Sequence, residues 1–266
     1  MRRLDLMAVA SRLRTRVMGR PLVYAPRLSS TQNLAAYLAA RGWPEGTVVL
    51  AEEQTAGRGR QGRSWWAPYG GALLLSLLLR PSLSPSQAQQ LTMVAGLAAA
   101  EAIEAVCAVP VALKWPNDLY ARGRKVGGIL VESRLSPDGR ALDHAIVGIG
   151  INVTVEFADQ PELRAIATSL HVEANRPVER ETLLLALLER TEARYEALLA
   201  GQPCHVEWAS RLLWLGEAVL VVTPDGSLAG VAIGVSEEGA LLVRRIDGEV
   251  EAVWTGDVRR WTTDHE

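Results

Sequence analysis

Cysteine, histidine and phenylalanine are scarce in this chain, with two, four and one in 266 residues. Cys107 and Cys204 stand apart and form no C-x-x-C, so they offer no disulfide framework or redox pair and read as reduced thiols of a cytoplasmic protein. The histidines show no H-E-x-x-H or other ligand spacing, which excludes a dedicated zinc site. Neither sign of charge is in excess, with a formal net charge of −2, so no general attraction to nucleic acid or to a membrane surface is expected. The longest apolar runs, Ala72 to Leu79 and Leu183 to Leu188, fall far short of the ~20 residues that span a bilayer. The start, Met1-Arg2-Arg3-Leu4-Asp5, leads into no apolar signal segment. A Walker-type phosphate loop is missing, and so is any internal repeat. With 48% apolar residues, the chain has enough material for a large core with a smaller unit attached.

What the chain does have is Gly57-Arg58-Gly59-Arg60-Gln61-Gly62-Arg63-Ser64-Trp65-Trp66. Glycines let backbone N–H groups approach a ligand, arginines offer forked donors to phosphate or carboxylate, and an indole offers a flat face to a ring. The stretch therefore points to an anionic, partly aromatic ligand such as a nucleotide. Gly57, Gly59 and Gly62 also fit the spacing G-x-G-x-x-G of dinucleotide-binding folds. That fingerprint needs a helix opening from the loop and an acidic residue about 20 positions on. The run from Arg63 to Gly71 contains Pro68 and Gly70 and opens no helix, and Ser82 to Ser86 holds no acid, so this reading fails.

Along the chain, Leu6, Val9, Ala10, Leu13 and Val17 recur at helical spacing, with arginines at 2, 3, 12, 14, 16 and 20, which predicts a basic amphipathic helix over residues 1–20 with a solvated face. Leu22 to Tyr24 reads as a strand, and Ser29-Ser30-Thr31-Gln32-Asn33 as the start of a helix ended by Gly42. A strand over Thr47 to Glu53 precedes the glycine-arginine loop. Ala72 to Leu79 has the length of a strand covered on both faces, and an alanine-rich helix follows over about Ser86 to Cys107. Val111 to Lys114 runs into Trp115-Pro116-Asn117-Asp118, where proline forces a turn at a strand end. Lys125 to Ser133 and Asp143 to Asn152 form a hairpin. Its internal glycines, Gly127, Gly128, Gly148 and Gly150, predict a bare floor over which a ligand can lie. Val155 to Ala167 reads as a loop with the character of a lid, Arg180 to Leu199 as an amphipathic helix, and Val206 to Leu213 as a short one. From Gly216 the strands become short and closely spaced, as in a small β-barrel. The expected organisation is α+β: a helix-flanked mixed β-sheet catalytic domain over 1–213 and a small β domain over 214–266.

The loop, Lys114 with Asn117 and Asp118, Lys125 with Gly127 and Gly128, and Gly148 to Asn152 supply cations, an acid, an amide and bare backbone. This set suits nucleotidyl transfer to a carboxylate, in which positioned Lys and Arg with Mg²⁺ offset the charge that grows on the α-phosphate of ATP.

In order and spacing, Ser30-Thr31, Gly57 to Arg63, Lys114-Trp115-Pro116-Asn117-Asp118, Lys125-Val126-Gly127-Gly128-Ile129 and Gly148-Ile149-Gly150-Ile151-Asn152 resemble the biotin protein ligases. The resemblance covers about Leu22 to Asn152, and the β-rich tail is similar to the SH3-like barrel that closes such proteins. It implies a class II synthetase-like sheet and a two-step reaction. Biotin and ATP give biotinyl-5′-AMP and pyrophosphate, and a lysine of a biotin carboxyl carrier protein, such as that of acetyl-CoA carboxylase, then takes the biotinyl group.

The resemblance further implies that Ser30, Thr31, Gln32 and Gln54 bind the ureido ring, with Gln32 standing where many members have Asn. Arg58, Gly59 and Arg60, entered through Gly57, would close over the biotin tail and the adenylate phosphate, and Lys125 would hold the carboxyl oxygen. Arg63, Lys114 and Asn117 would face the phosphates, Trp65 the adenine and Asn152 the nucleotide. Asp118 would serve a Mg²⁺ ion or the incoming lysine. Lys125, Arg58 and Asp118 are thus the expected catalytic residues. The glycine-arginine loop would act as a mobile clamp whose arginines are held back from neighbours until the phosphate arrives. Only about 21 residues precede the first strand, so no DNA-binding repressor domain is expected. Members occur as monomers and as dimers, leaving a homodimer open. The rivals are a lipoate ligase or octanoyltransferase, whose loop has consecutive glycines and a downstream histidine, and a biotin-binding protein without catalysis.

Overall fold

The computed structural model describes residues 3–261; Arg2 of the basic segment lies outside the described residues. The helices are α1 (Leu6–Arg12), α2 (Thr31–Ala39), α3 (Ala88–Cys107), α4 (Pro161–Arg164), α5 (Leu170–Ala174), α6 (Arg180–Leu199) and α7 (His205–Ser210). The main sheet contains β1 (Leu22–Leu28), β2 (Val48–Gln54), β3 (Ala72–Leu79), β4 (Ala112–Lys114), β5 (Asp118–Ala121), β6 (Arg124–Leu135) and β7 (Leu142–Asn152), in the order β1-β2-β3-β7-β6-β5-β4. Only β1 and β2 run parallel; every other neighbouring pair is antiparallel. The sheet is therefore mixed, as the pattern of the chain predicts.

β3 is buried along its whole length because helices cover both faces of the sheet. Leu73, Leu75, Leu77 and Leu79 point into the large core with α3 and α6, while Leu78 meets α2 in a second cluster. Alanines at 95, 98, 99, 100 and 102 let α3 pack closely and are at most 1% exposed. By length and composition the segment Pro85–Cys107 could cross a membrane, but 78% of its apolar window is buried inside the protein. That candidate span comes from summing small apolar residues that no uninterrupted leucine run marks.

The N-terminal helix is shorter than its periodicity predicts. Asp5 caps α1 by accepting from the Ala8 N–H at 3.0 Å, but the helix stops at Arg12. The reason is tertiary: the backbone N–H groups of Arg16, Val17 and Met18 all donate to the carboxylate of Glu192 on α6, at 2.7–3.1 Å, which a continuing helix would not allow. Arg16 also pairs with Glu196, so part of the basic charge is spent within the protein.

β5 is a strand that the sequence reading misses. Arg122 and Gly123, at φ 46° and 79°, turn the chain back so that Asp118 pairs with Gly128. C-terminal to α7, a second sheet of β8 (Ala218–Thr223), β9 (Gly226–Val235), β10 (Leu241–Arg244), β11 (Val250–Val253) and β12 (Asp257–Arg260) is antiparallel throughout, in the order β11-β10-β9-β8-β12. It is tied to the residue after β4 by the Trp115 indole N–H, which donates to the Gly239 carbonyl at 3.0 Å, and to α3 by the Gln90 amide, which donates to the Glu237 carbonyl at 3.2 Å.

One buried ion pair fastens the N-terminal segment, β2 and α6. Glu52, fully buried, accepts from Arg180 at 2.6 Å, from the Tyr24 hydroxyl at 3.0 Å and from the Leu4 N–H at 2.7 Å. Glu52→Ala takes the carboxylate away from a buried guanidinium and should cost about 3–5 kcal/mol in urea unfolding. A loss below about 1 kcal/mol would show that the network is not a structural anchor.

Candidate functional site

Strand register decides which glycines face one another. Across the sheet, Asp118, Gly128, Gly150 and Leu74 form one row, and Leu130, Gly148 and Ser76 the next. Above these rows lies a cavity of about 280 Å³, enclosed by the start of α2, the 57–66 loop, the 155–167 segment and Asp257. Three of the four glycines, Gly128, Gly148 and Gly150, lie in the lining of this cavity. Gly127 does not: it lies on the opposite face, where a Cβ would come 2.9 Å from the Leu119 side chain, so its role is close strand packing.

The buried end of the cavity is built from α2. Ser30 stands at its N-cap but makes no capping bond, and its hydroxyl, like the residue, is buried without a partner. Thr31 is fixed instead: its N–H and hydroxyl both donate to Gln54 Oε1, at 2.7 and 3.0 Å, and it accepts from Ser76 at 2.8 Å. Gln32 donates from Nε2 to Glu132 Oε2 at 3.0 Å and to the Leu130 carbonyl at 3.3 Å, leaving Oε1 buried and unpaired. Asn152 donates to the Thr168 carbonyl at 3.1 Å, leaving Oδ1 unpaired, and Trp65 Nε1 is also unpaired. Four buried orphans in one cavity are informative, because each such group costs about 1–3 kcal/mol unless a ligand meets it.

The other end is cationic. Lys125 Nζ sits 2.7 Å from Asp118 Oδ1 and 5.7 Å from the centre of the Trp65 ring. Lys114 Nζ lies between the rings of Tyr120 and Trp214, at 5.8 and 5.6 Å, and burial pushes its pKa down although Asp118 and Asp257 pull it up. Burial likewise pushes down Arg60, whose guanidinium donates to Asn117 Oδ1 at 3.5 Å and to Thr255 at 3.3 Å. Tyr120 is pushed up to about 12 by burial first and by Asp118 second. Two cations that have lost water without full compensation favour an incoming anion.

The 57–66 loop is a closed hairpin. Gly59 N–H donates to the Arg63 carbonyl at 2.7 Å and Trp65 N–H to the Gly57 carbonyl at 2.9 Å, with Gln61 and Gly62 at φ 54° and 73° making the turn. The arginines are not held back from neighbours, contrary to expectation. Arg58 binds Glu132 at 2.8 Å and Arg63 binds Asp257, through carboxylates 74 and 194 residues away. Nor is the floor open: the Trp65 indole covers it, so that a Cβ on Gly150 would lie 2.7 Å from Cε2 of that ring. Trp66 and Phe157 form a tilted aromatic pair at 6.3 Å.

The 155–167 segment is the second wall. Lys125 N–H donates to the Ile166 carbonyl and Thr168 N–H to the Lys125 carbonyl, both at 2.8 Å, so the backbone on both sides of the central lysine is pinned by this segment. The expected residues line this cavity, except Gly57, Lys114 and Gly127. The sequence reading misses Glu132, Asp257 and Ser76. Ser76 left a signal, as the lone polar residue in an apolar strand; Glu132 and Asp257 left none.

Residues 24–152 match the model of the biotin/lipoate A/B protein ligase family, and residues 214–261 that of the biotin protein ligase C terminal domain. The chain is 37% identical over 249 residues to the bifunctional ligase/repressor BirA of Bacillus subtilis, covering 92% of this chain and 76% of that protein. It is 37% identical over 229 residues to the biotin–acetyl-CoA-carboxylase ligase of Paracoccus denitrificans, covering 82% and 92%. Among solved structures, the biotin protein ligase of Aquifex aeolicus in complex with biotin and ATP superposes with a TM-score of 0.78 at 33% identity, over 91% of this chain and 100% of that one.

The Arg63–Asp257 contact makes the position of the loop checkable. Both side chains are partly exposed, so Asp257→Ala should cost no more than about 1 kcal/mol of global stability. Trypsin cleavage within residues 58–63 should nevertheless accelerate roughly fivefold, the factor that 1 kcal/mol of lost closure gives. An unchanged cleavage rate would mean that the small sheet does not hold the loop.

Proposed function

The chain belongs to the biotin protein ligases of the biotin/lipoate A/B protein ligase family, and on that premise we propose how its residues divide the work of an ATP-dependent biotin ligation. Biotin is activated to biotinyl-5′-AMP with release of pyrophosphate, and the biotinyl group then passes to a lysine of an acceptor protein. The observation that carries the residue assignments is one cavity with an unpaired neutral polar end and a cationic end. A cyclic urea offers one carbonyl and two N–H groups, and the Ser30 hydroxyl and Gln32 carbonyl are complementary to it. The carboxylate at the far end of biotin then points toward the cations.

In the first step a biotin carboxylate oxygen attacks the α-phosphorus and the bond to pyrophosphate breaks. Lys125 holds that carboxylate and follows the charge as it moves onto the phosphoryl oxygens, assisted by Arg58 and Arg60. Lys114, Arg63 and Asn117 meet the remaining phosphates; exchange of Arg63 from Asp257 to phosphate couples the loop to nucleotide arrival. Trp65, lying on Gly128 and Gly150, and Asn152 receive the nucleoside. The hairpin and the 155–167 wall keep water from the mixed anhydride.

Among the described residues no group of three or more acids, histidines or cysteines could hold a metal ion. A donor set of one carboxylate fits Mg²⁺ that arrives on the nucleotide and keeps phosphate and water ligands, with Asp118 as its protein donor. Bound there, the ion would neutralise phosphate charge. In the second step the amine of the acceptor lysine attacks the acyl carbon and AMP leaves. With an ordinary pKa of about 10.4 that lysine must first lose a proton, and we assign Asp118 to orient it. We take the acceptor to be a biotin carboxyl carrier domain.

The test is biotin-dependent exchange of pyrophosphate into ATP. The wild-type protein should catalyse it, and failure to do so would remove the ligase assignment. Lys125→Ala should lower exchange by at least about 100-fold. Because the Lys125–Asp118 pair is partly exposed, unfolding free energy should shift by less than about 1 kcal/mol. A parallel collapse of the thermal melt would return Lys125 to a structural role.

A further inference from the structure

Gln32 is 4% exposed, and its two amide atoms lie in different surroundings. Around Nε2 there are only acceptors: Glu132 Oε2 at 3.0 Å, the Leu130 carbonyl at 3.3 Å and the Ile146 carbonyl at 3.5 Å. A carbonyl oxygen in that place would face three lone pairs, so the amide can sit only one way round. Its oxygen is consequently turned toward Gly148, where the missing Cβ leaves room for it, and it remains without a partner. Glu132 supplies the closest of the three acceptors and the only charged one. The same oxygen, Oε2, accepts from Arg58 at 2.8 Å, which fixes the rotamer of the carboxylate.

We propose that Glu132 is a specificity-determining positioning residue: it locks the Gln32 amide with its carbonyl toward the ligand, so that the site demands an N–H at that edge of the ligand ring. The inference rests on the reading of the cavity as a biotin site, and Glu132 acts through Gln32 without touching biotin itself. The physical consequence is sharp. A locked carbonyl accepts from a ureido N–H but repels a ring oxygen in its place, whereas an amide free to turn can donate to that oxygen.

The experiment compares the dissociation constants of biotin and of the two cyclic carbamates in which one or the other ureido N–H is replaced by oxygen. In the wild-type protein at least one carbamate should bind about tenfold or more weakly than biotin, the cost of an unmatched buried carbonyl. Glu132→Ala should weaken biotin and narrow that ratio by at least about threefold, because only the two longer contacts to the Leu130 and Ile146 carbonyls, at 3.3 and 3.5 Å, then hold the Gln32 amide. In Glu132→Gln the ratio should return, since the donors Arg58 and Gln32 both draw the new carbonyl toward themselves. The Glu132 side chain is 40% exposed, so these variants should fold. If the alanine form does not melt cooperatively, Glu132→Ser, which also cannot reach Gln32, takes its place. A wild-type ratio in the alanine or serine variant, or an equal loss of affinity for all three ligands, overturns the role of Glu132. So does a wild-type protein that accepts both carbamates as readily as biotin. A wild-type protein that binds no biotin at all instead overturns the reading of the cavity.

Discussion

Because Gly128, Gly148 and Gly150 carry no Cβ, the backbone of β6 and β7 is open to close approach from above, and two side chains use that opening. The Gln32 carbonyl reaches Gly148, and the Trp65 indole lies on Gly150 and Gly128. Trp65 in turn sets the height of the hairpin that bears Arg58, Arg60 and Arg63. A methyl group at Gly150 would lift the indole and carry the arginines away from Glu132 and from the small sheet. The anion-binding end therefore depends on close contact at the neutral end, and one packing constraint governs both.

The electrostatic arrangement follows from how little water the cations keep. Burial works against the charge on Lys114 and Arg60, and the carboxylates near them, Asp118 and Asp257, only partly offset it. Such groups bind a polyanion more strongly than fully solvated cations would, since their dehydration is already accomplished on folding. Asp257 itself lies below the usual carboxylate range: burial opposes this, but Arg63, Lys114 and Arg60 outweigh it. A residue of the second sheet is thus part of the charge balance of a site built mostly on the first.

The motif-bearing residues were legible because their chemistry depends on local spacing. Gly57 to Arg63, Lys114 to Asp118 and Lys125 with Gly128 each sit within one turn or strand end, where a handful of neighbours settle the geometry. The N-terminal helix was misjudged because the carboxylate that ends it, Glu192, is about 175 residues away. The partners of the loop arginines were invisible for the same reason. Gly127 could be told from Gly128 only by knowing which face of β6 is covered, since alternate residues of a strand face opposite sides.

The sequence by itself determined the mixed sheet flanked by helices, the β-rich tail, the kinds of group at the site and the reaction they suit, because periodicity, turn residues and motif spacing act over short stretches of chain. Only the tertiary structure decided which glycines form the floor, that Trp65 covers it, which carboxylates hold Arg58 and Arg63, and which way the Gln32 amide faces. Those are matters of strand register and of contacts across 74 to 194 residues. They depend on where distant segments meet, and a single linear pattern of residues carries no measure of that distance.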